Sequence, residues 1–303
     1  MSRHDTKLNP CAIIVSYEPD TAVLLSLLEQ ISAQTDFLLI DNASTNGDEF
    51  LDIAQNKARC LGVHKLPRNI GLASAMNLGL VEVRKAEYAY AVLFDQDSQL
   101  TPSFFDNMQM AYLEAQRLSP KPVAAVGPRI VSLRNDAPMP FKLFSPLFKR
   151  SDVSFHGNTR LYQAEFLISS GCFFVLEHLE KIGAMKEEYF IDNIDLEWCF
   201  RAQAKGFEIV GTDYALLHHS IGEQDENLLV RKGVIVSHSP LRSYYSTRNR
   251  FALYREPHAP MAWKIRDFPR FILKSLWLVM FSKQRAQYAE NIWRGIKDSR
   301  GLA

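Results

Sequence analysis

The stretch Tyr88-Ala89-Tyr90-Ala91-Val92-Leu93-Phe94-Asp95-Gln96-Asp97-Ser98 runs from seven apolar residues straight into two carboxylates spaced i, i+2. A short continuous apolar run stopped by polar residues is the pattern of a central strand covered on both faces. Such a strand would hold both acids at its carboxyl edge. Successive strand side chains point to opposite faces, so Asp95 and Asp97 converge on one ligand only if the chain turns there. Gln96-Asp97-Ser98 is suitable turn chemistry. Hard oxygen ligands of this kind suit Mg²⁺ or Mn²⁺, which take one or two protein carboxylates and complete their shell with phosphates and water. Two solvated acids in a loop would give the same short motif, so the neighbouring elements must decide.

Upstream, Cys11-Ala12-Ile13-Ile14-Val15-Ser16 is a second apolar run, stopped by Tyr17-Glu18-Pro19-Asp20. Leu24, Leu25, Leu27, Leu28 and Ile31 then recur at helical spacing. Phe37 to Ile40 predicts the next strand, ending in the turn formers Asp41-Asn42-Ala43-Ser44-Thr45-Asn46-Gly47, and Cys60 to Leu66 predicts a third. Strands alternating with helices imply a parallel sheet with right-handed crossovers, whose ligands sit beyond the carboxyl ends of the strands. Ser16, Tyr17, Asp41, Arg68 and Asp95 all fall at those ends. Between the third strand and the acidic one lies Arg68-Asn69-Ile70-Gly71-Leu72-Ala73-Ser74-Ala75-Met76-Asn77-Leu78-Gly79. Gly71 and the small residues after it allow the first turn of a helix to approach a neighbour or a ligand closely. Arg68 is positioned to answer a phosphate there.

A chain of 303 residues, 47% hydrophobic and 23% charged, suits one large α/β domain or a domain with an appendage. The net charge of +1 hides an asymmetry: residues 1–239 carry 22 Lys and Arg against 30 Asp and Glu, whereas residues 240–303 carry 13 against 4. The expected organisation is a catalytic body over 1–239, divided near residue 100, followed by a basic, aromatic-rich helical region over 240–303. Nothing in this balance points to nucleic acid. Cys11, Cys60, Cys172 and Cys199 lack paired or metal-ligand spacing and read as reduced core residues of a cytoplasmic protein. The first seven residues contain no apolar segment of a secretory leader, and no run reaches the roughly 18 apolar residues of a membrane span.

The segments Ile13-Ile14-Val15-Ser16-Tyr17, Ile40-Asp41-Asn42-Ala43-Ser44, Asn69-x-Gly71 with Asn77-x-Gly79, and Phe94-Asp95-Gln96-Asp97, in that order, resemble the nucleotide-sugar half of family 2 inverting glycosyltransferases. The Asp-Gln-Asp form is most like that of bacterial rhamnosyltransferases. The resemblance implies a GT-A fold: a Rossmann-like, mostly parallel sheet flanked by helices, here with a C-terminal helical appendage. It also implies a dTDP-β-L-rhamnose donor, a glycan or glycolipid acceptor, and a product in O-antigen or a similar surface polysaccharide. Ser16, Tyr17, Asp41, Arg68, Asn69, Asp95 and Gln96 would line the donor site.

Further on, Pro102 to Leu118 predicts a helix, Val123 to Gly127 a strand, and residues 132–160, with several prolines and little periodicity, a long loop over the acceptor cleft. A second chemical centre follows in Ser169-Ser170-Gly171 and Asp192-Asn193-Ile194-Asp195-Leu196-Glu197. An acid at a helix start has a structural use as a cap, which accounts for one of these three acids and not for all. Counting back from Arg201, the resemblance gives Asp195 the place of the catalytic base, with Asp192 as runner-up because Ile194 stands where the family's first acid usually does. His218 and His219 are ordinary surface or core histidines on their own. The resemblance assigns His219, in its Ser220-Ile221-Gly222 context, to the metal beside Asp95 and Asp97, and places Arg248-Asn249 near the diphosphate.

Residues 262–281 are dense in Trp, Phe, Leu and Ile, interrupted by Lys264, Arg266, Arg270 and Lys274. That composition is expected of an interfacial helix drawn to anionic lipid on the cytoplasmic face of a membrane, or of a helix packed on the body or a second subunit. Two other classes bear on the same residues. A dinucleotide-dependent dehydrogenase needs G-x-G-x-x-G after the first strand, where Ser16-Tyr17-Glu18-Pro19 stands instead. A non-catalytic nucleotide-binding scaffold at a membrane, in which the acids are structural, is the alternative from another class, and the presence of Asp95, Asp97, Asp195 and His219 together argues against it. Within the enzyme class, a UDP-hexose or UDP-galactofuranose transferase is the alternative.

Overall fold

A computed structural model describes residues 8–133, 136–144, 150–219 and 239–302. The chain starts with strand β1 (Pro10–Ser16), helix α1 (Thr21–Ser32), β2 (Phe37–Asp41), α2 (Asp48–Gln55), β3 (Cys60–Lys65), α3 (Leu72–Lys85) and β4 (Tyr90–Asp95). It continues through β5 (Gln99–Leu100), α4 (Phe104–Leu118), β6 (Val123–Ser132), β7 (Lys142–Leu143), β8 (Arg150–Ser151), β9 (Ser154–Phe155), β10 (Asn158–Gln163) and β11 (Phe173–Val175). Then come α5 (Leu176–Ile182), α6 (Ile194–Ala204), β12 (Glu208–His219), α7 (Pro240–Arg255), α8 (Met261–Phe281) and α9 (Arg285–Asp298).

The sheet order is β3-β2-β1-β4-β11-β6-β12-β10-β9. The first four strands are mutually parallel, as are β6 and β12, while short antiparallel β11 joins the two sets. Each apolar run alternates its side chains between two cores. Cys11, Ile13 and Val15 pack with α3, α5 and α6 on one face, and Ala12 and Ile14 pack with α1, α2 and α4 on the other. This is the mostly parallel α/β sheet flanked by helices that the sequence predicts. A third cluster, Leu196, Phe200, Leu253, Ala259 and Trp263, ties α6 to α7 and α8. All four cysteines are free thiols. Among the described residues, no helix is long and apolar enough to cross a membrane.

The loop expected over 132–160 is corrected in part. Its described residues hold β7 to β10, and β10 extends the main sheet antiparallel to β12. Periodicity missed this because each strand is too short to display alternation. Its anchor is Arg129, buried between the rings of Phe141 at 4.2 Å and Tyr162 at 4.7 Å and ion-paired to Asp152 and Asp213.

Candidate active site

The acidic motif sits where β4 leaves the sheet. Gln96 clamps it to the end of β1: its Oε1 accepts from the Tyr17 N–H at 2.7 Å, and its Nε2 donates to the Tyr17 carbonyl at 3.2 Å. The Ser170 hydroxyl accepts from the Asp95 N–H and lies 2.8 Å from the Ser98 hydroxyl, so Ser169-Ser170-Gly171 braces the same turn. Gln96 is therefore a brace of the turn, and Tyr17 stands exposed beside it.

His219 ends β12 and meets both acids across the sheet. Its Nε2 lies 3.5 Å from Asp95 Oδ2 and its Nδ1 3.3 Å from Asp97 Oδ1. Ser220-Ile221-Gly222, quoted with it above, lies outside the described residues. Burial disfavours the imidazolium, yet the Asp97 and Asp95 carboxylates outweigh that and raise the His219 pKa. Burial raises the Asp95 pKa, with His219 and Arg242 opposing and Asp97 reinforcing. Among the described residues, no three such side chains already converge as metal ligands do. The donor set nevertheless fits a hard divalent ion: two carboxylates, and an imidazole whose buried Nδ1 has no hydrogen-bond partner.

Asp195 lies in the first turn of α6, where its Oδ1 accepts from the Leu196 N–H at 2.9 Å. Behind it is a small cavity whose walls include Leu167, Cys172, Phe174, Trp198 and Cys199. Burial there pushes its pKa up to about 7, with the Asp95 and Asp192 charges adding to the effect and N–H bonds from Leu196 and Ser169 opposing it. A carboxyl tuned this way can exchange a proton near neutral pH. The two neighbouring acids are engaged elsewhere. Asp192 accepts three bonds from the Arg242 guanidinium, at 3.0 to 3.2 Å, so it is an ion-paired group and not an open base. Glu197 is fully buried, held by Arg201 at 2.8 Å and lying 3.0 Å from His258.

Asp192 and Asp195 owe their placement to a strained segment. Phe190, Asp192 and Asn193 all have positive φ, a region that costs non-glycine residues energy unless the surroundings enforce it. Enforcement comes from two sides. The Asn249 amide, buried in α7, donates to the carbonyls of Tyr189, Ile191 and Asp192 at 2.7 to 2.9 Å, and Arg248 donates to Glu188 and Tyr189. At the start of α3, Leu72 and Ala73 donate to the Phe190 carbonyl. This decides the alternatives left open at Gly71: the first turn of α3 approaches a neighbour. Gly71 has φ 87°, and a Cβ there would stand 2.5 Å from the Phe190 ring. Arg248 thus fastens the loop that carries Asp192.

Ser16 and Asp41, expected at the donor, are joined in a loop network. Asp41 is fully buried, accepting from the Ser16 hydroxyl at 3.0 Å, the Ser44 N–H at 3.0 Å and the Ser44 hydroxyl. This network shapes the loop after β2. Asn69 accepts from Asn42 and from the Gly71 N–H, fastening the adjoining loop. Arg68 is exposed there. Beyond the carboxyl ends of β2 and β3, Ala43, Ser44, Lys65, Leu66 and Pro67 line an open cleft. Arg242 has no place among the residues expected from sequence; its signal is only its position in the basic run after Pro240.

The glycosyl transferase family 2 model matches residues 12–176. The dTDP-rhamnosyl transferase RfbF of Shigella flexneri is 27% identical over 284 residues, covering 92% of this chain and 91% of that protein. Among solved structures, GalNAc-T7 with UDP, GalNAc and Mn²⁺ aligns at TM-score 0.56 and 12% identity over 98% of this chain. This chain spans little more than half of that one, 56%. S. aureus TarS 1–349 with UDP-GlcNAc aligns at 0.56 and 13% identity, covering 96% of this chain and 81% of that chain. Pyrobaculum calidifontis PcManGT with GDP-Man and Mn²⁺ aligns at 0.55 and 12%, covering 97% and 76%. The structural likenesses show the fold alone, and the family match extends over more than half of the sequence. The chain is a glycosyltransferase and belongs to glycosyl transferase family 2.

Proposed function

We propose that this protein transfers L-rhamnose from dTDP-β-L-rhamnose, with inversion, to a hydroxyl of a lipid-linked glycan in cell-surface polysaccharide synthesis. The observation that carries the chemistry is the meeting of Asp95, Asp97 and His219 from two strands, in electrostatic range of Asp195. The donor follows from the similarity to dTDP-rhamnosyl transferase RfbF.

Asp95, Asp97 and His219 would hold Mg²⁺ or Mn²⁺, which when bound stabilises the charge building on the departing diphosphate. The open cleft beside Ser44 and Lys65 would take the nucleoside, with Tyr17 at its mouth and Arg68 answering a phosphate. Asp195 receives the proton of the acceptor hydroxyl as that oxygen attacks the anomeric carbon opposite the diphosphate. A single displacement needs this one base and leaves no covalent glycosyl-enzyme. Asp192, spent on Arg242, keeps the loop in place during the step.

Membrane contact is part of the same reading. On α8, Met261, Ile265, Phe268, Ile272, Leu276 and Met280 are all exposed and recur at three- and four-residue spacing, with Lys264, Arg266 and Arg270 flanking them. An outward apolar stripe edged by cations suits the surface of an anionic bilayer, where a lipid-linked acceptor resides.

The test is thermal stabilisation by dTDP, UDP and GDP, each with and without Mn²⁺, since a ligand of the folded state raises Tm. The expected result is a metal-dependent shift of several degrees, largest with dTDP and absent in Asp97→Ala. A larger shift with UDP moves the donor to a UDP-hexose or UDP-galactofuranose. No shift with any nucleotide returns the protein to the scaffold class.

A further inference from the structure

Helix α8 turns two unlike faces to its surroundings. Opposite the exposed stripe lie Trp263, Asp267, Phe271, Lys274 and Leu278; Trp263, Asp267 and Phe271 meet α7, and Trp263, Phe271 and Leu278 are buried. On α7, Arg242, Ser246 and Arg250 recur every four residues and so share one side. Arg250 donates to Asp267 at 2.8 Å, and that same carboxylate oxygen accepts from the Tyr254 hydroxyl at 2.6 Å. Arg242 is bound to Asp192. Both carboxylates in this cleft are thus already spoken for by an arginine. Lys274 has no hydrogen bond or ion pair to any described residue, and its surroundings are the charges of Arg250, Asp192, Arg242 and Asp267. Burial, then the two arginines, push its pKa down to about 8.

Among the described residues, three cations against two paired carboxylates leave one positive charge without an answer in a partly dry cleft. Such a charge costs stability unless an anion arrives to meet it. Asp192 is in electrostatic range of both Lys274 and the Asp195 carboxyl, whose pKa it raises. Lys274 and the outward apolar stripe belong to one helix, so they are separated by about 10 Å, one helix diameter. A phosphate on a lipid tail spans that separation.

We propose that Arg242, Arg250 and Lys274 form an anion subsite, separate from the donor diphosphate site, which takes the phosphate or diphosphate of a lipid-linked acceptor. It rests on the glycosyl-transfer reading above and names the acceptor's chemical class. The subsite sets the reducing end of the acceptor at the membrane side of Asp195 and leaves its hydroxyl-bearing sugars free to reach the base.

The probe is geranyl monophosphate, titrated calorimetrically into the full chain presaturated with dTDP and excess Mg²⁺, with geraniol as the uncharged control. Expected is one site that persists with dTDP bound, weakened about tenfold or more by Lys274→Met and retained by Lys274→Arg. Lys274→Met removes an unanswered buried charge, so its Tm rises, which separates lost binding from lost folding. Mutual exclusion of geranyl phosphate and dTDP would assign the cations to the donor and overturn the proposal. Equal affinity in Lys274→Met would overturn it as well, as would failure of geranyl phosphate to bind when dTDP binds. If no nucleotide binds, the functional reading fails, and the titration run without nucleotide still decides whether the anion subsite exists.

Discussion

Asp195 is an acid whose setting works against its charge. Its carboxyl backs onto apolar walls and faces two other acids, and its pKa stands at about 7. Two consequences follow with opposite pH trends. As a base it must be ionised, so kcat/KM should rise about tenfold per pH unit below 7 and level off above 8. A flat profile from pH 5.5 to 8.5 would remove Asp195 from the role. Stability runs the other way: the folded pKa lies above the unfolded one, so the contribution is fully present at pH 4 and lost as pH rises through 7. In metal-free protein, Asp195→Asn should therefore match the native Tm near pH 4 and exceed it at pH 8. Parallel Tm curves for the two chains would show that the carboxyl is not held neutral by burial. The sequence singled out this residue only through its distance from Arg201, because helix position is readable from spacing while desolvation depends on residues far along the chain, such as Cys172 and Leu167.

At the scale of elements, the decisive piece is the segment between α5 and α6. It holds residues of positive φ, and two elements from distant parts of the chain hold it down. Asn249 alone satisfies three of its carbonyls. Asn249→Ala should cost about 2 kcal/mol in urea unfolding, as expected for carbonyls left without donors. Transfer should fall at least about tenfold while dTDP affinity changes less than about threefold, since the loop carries Asp192 toward Asp195 and not the Asp95 turn. Equal losses in transfer and donor affinity would refute this division of labour. Gly71→Ala should loosen the same segment from the other side, through strain at φ 87° and contact with Phe190. Gly79 has a different role: it brings α3 against β1, where a Cβ would lie 2.4 Å from Ile13. The elements themselves were legible, as apolar runs and helical spacing gave β1 to β4, α1, α3, α4 and α6 within a few residues. The strands between 142 and 163 were not, because they follow a buried arginine and not an alternating pattern.

Over the whole molecule, charge and apolar surface are distributed unevenly. The last 64 residues hold 13 of the 35 basic residues and 4 of the 34 acidic ones, and the outward stripe of α8 continues toward exposed Trp293 on α9. The chain should sediment with vesicles containing anionic lipid, less so at 0.5 M salt, and only weakly with neutral vesicles. Phe268→Glu with Leu276→Glu should weaken sedimentation more than about tenfold while preserving the Tm shift by dTDP. Undiminished sedimentation of that variant would mean that α8 faces a protein, and light scattering would then show the oligomer.

Sequence alone determined the order of most strands and helices and the place of the acidic motif at the carboxyl edge of the sheet. These follow from local periodicity and from motifs whose residues are close along the chain. Only the tertiary structure decided that Ser16 and Asp41 shape a loop, that Asp192 and Arg248 are fasteners, and that Gly71 admits Phe190. It also decided that Lys274 is half-buried without a partner among the described residues. Each of those outcomes depends on which distant donor or acceptor reaches a buried group first, and burial and pairing are properties of the folded chain.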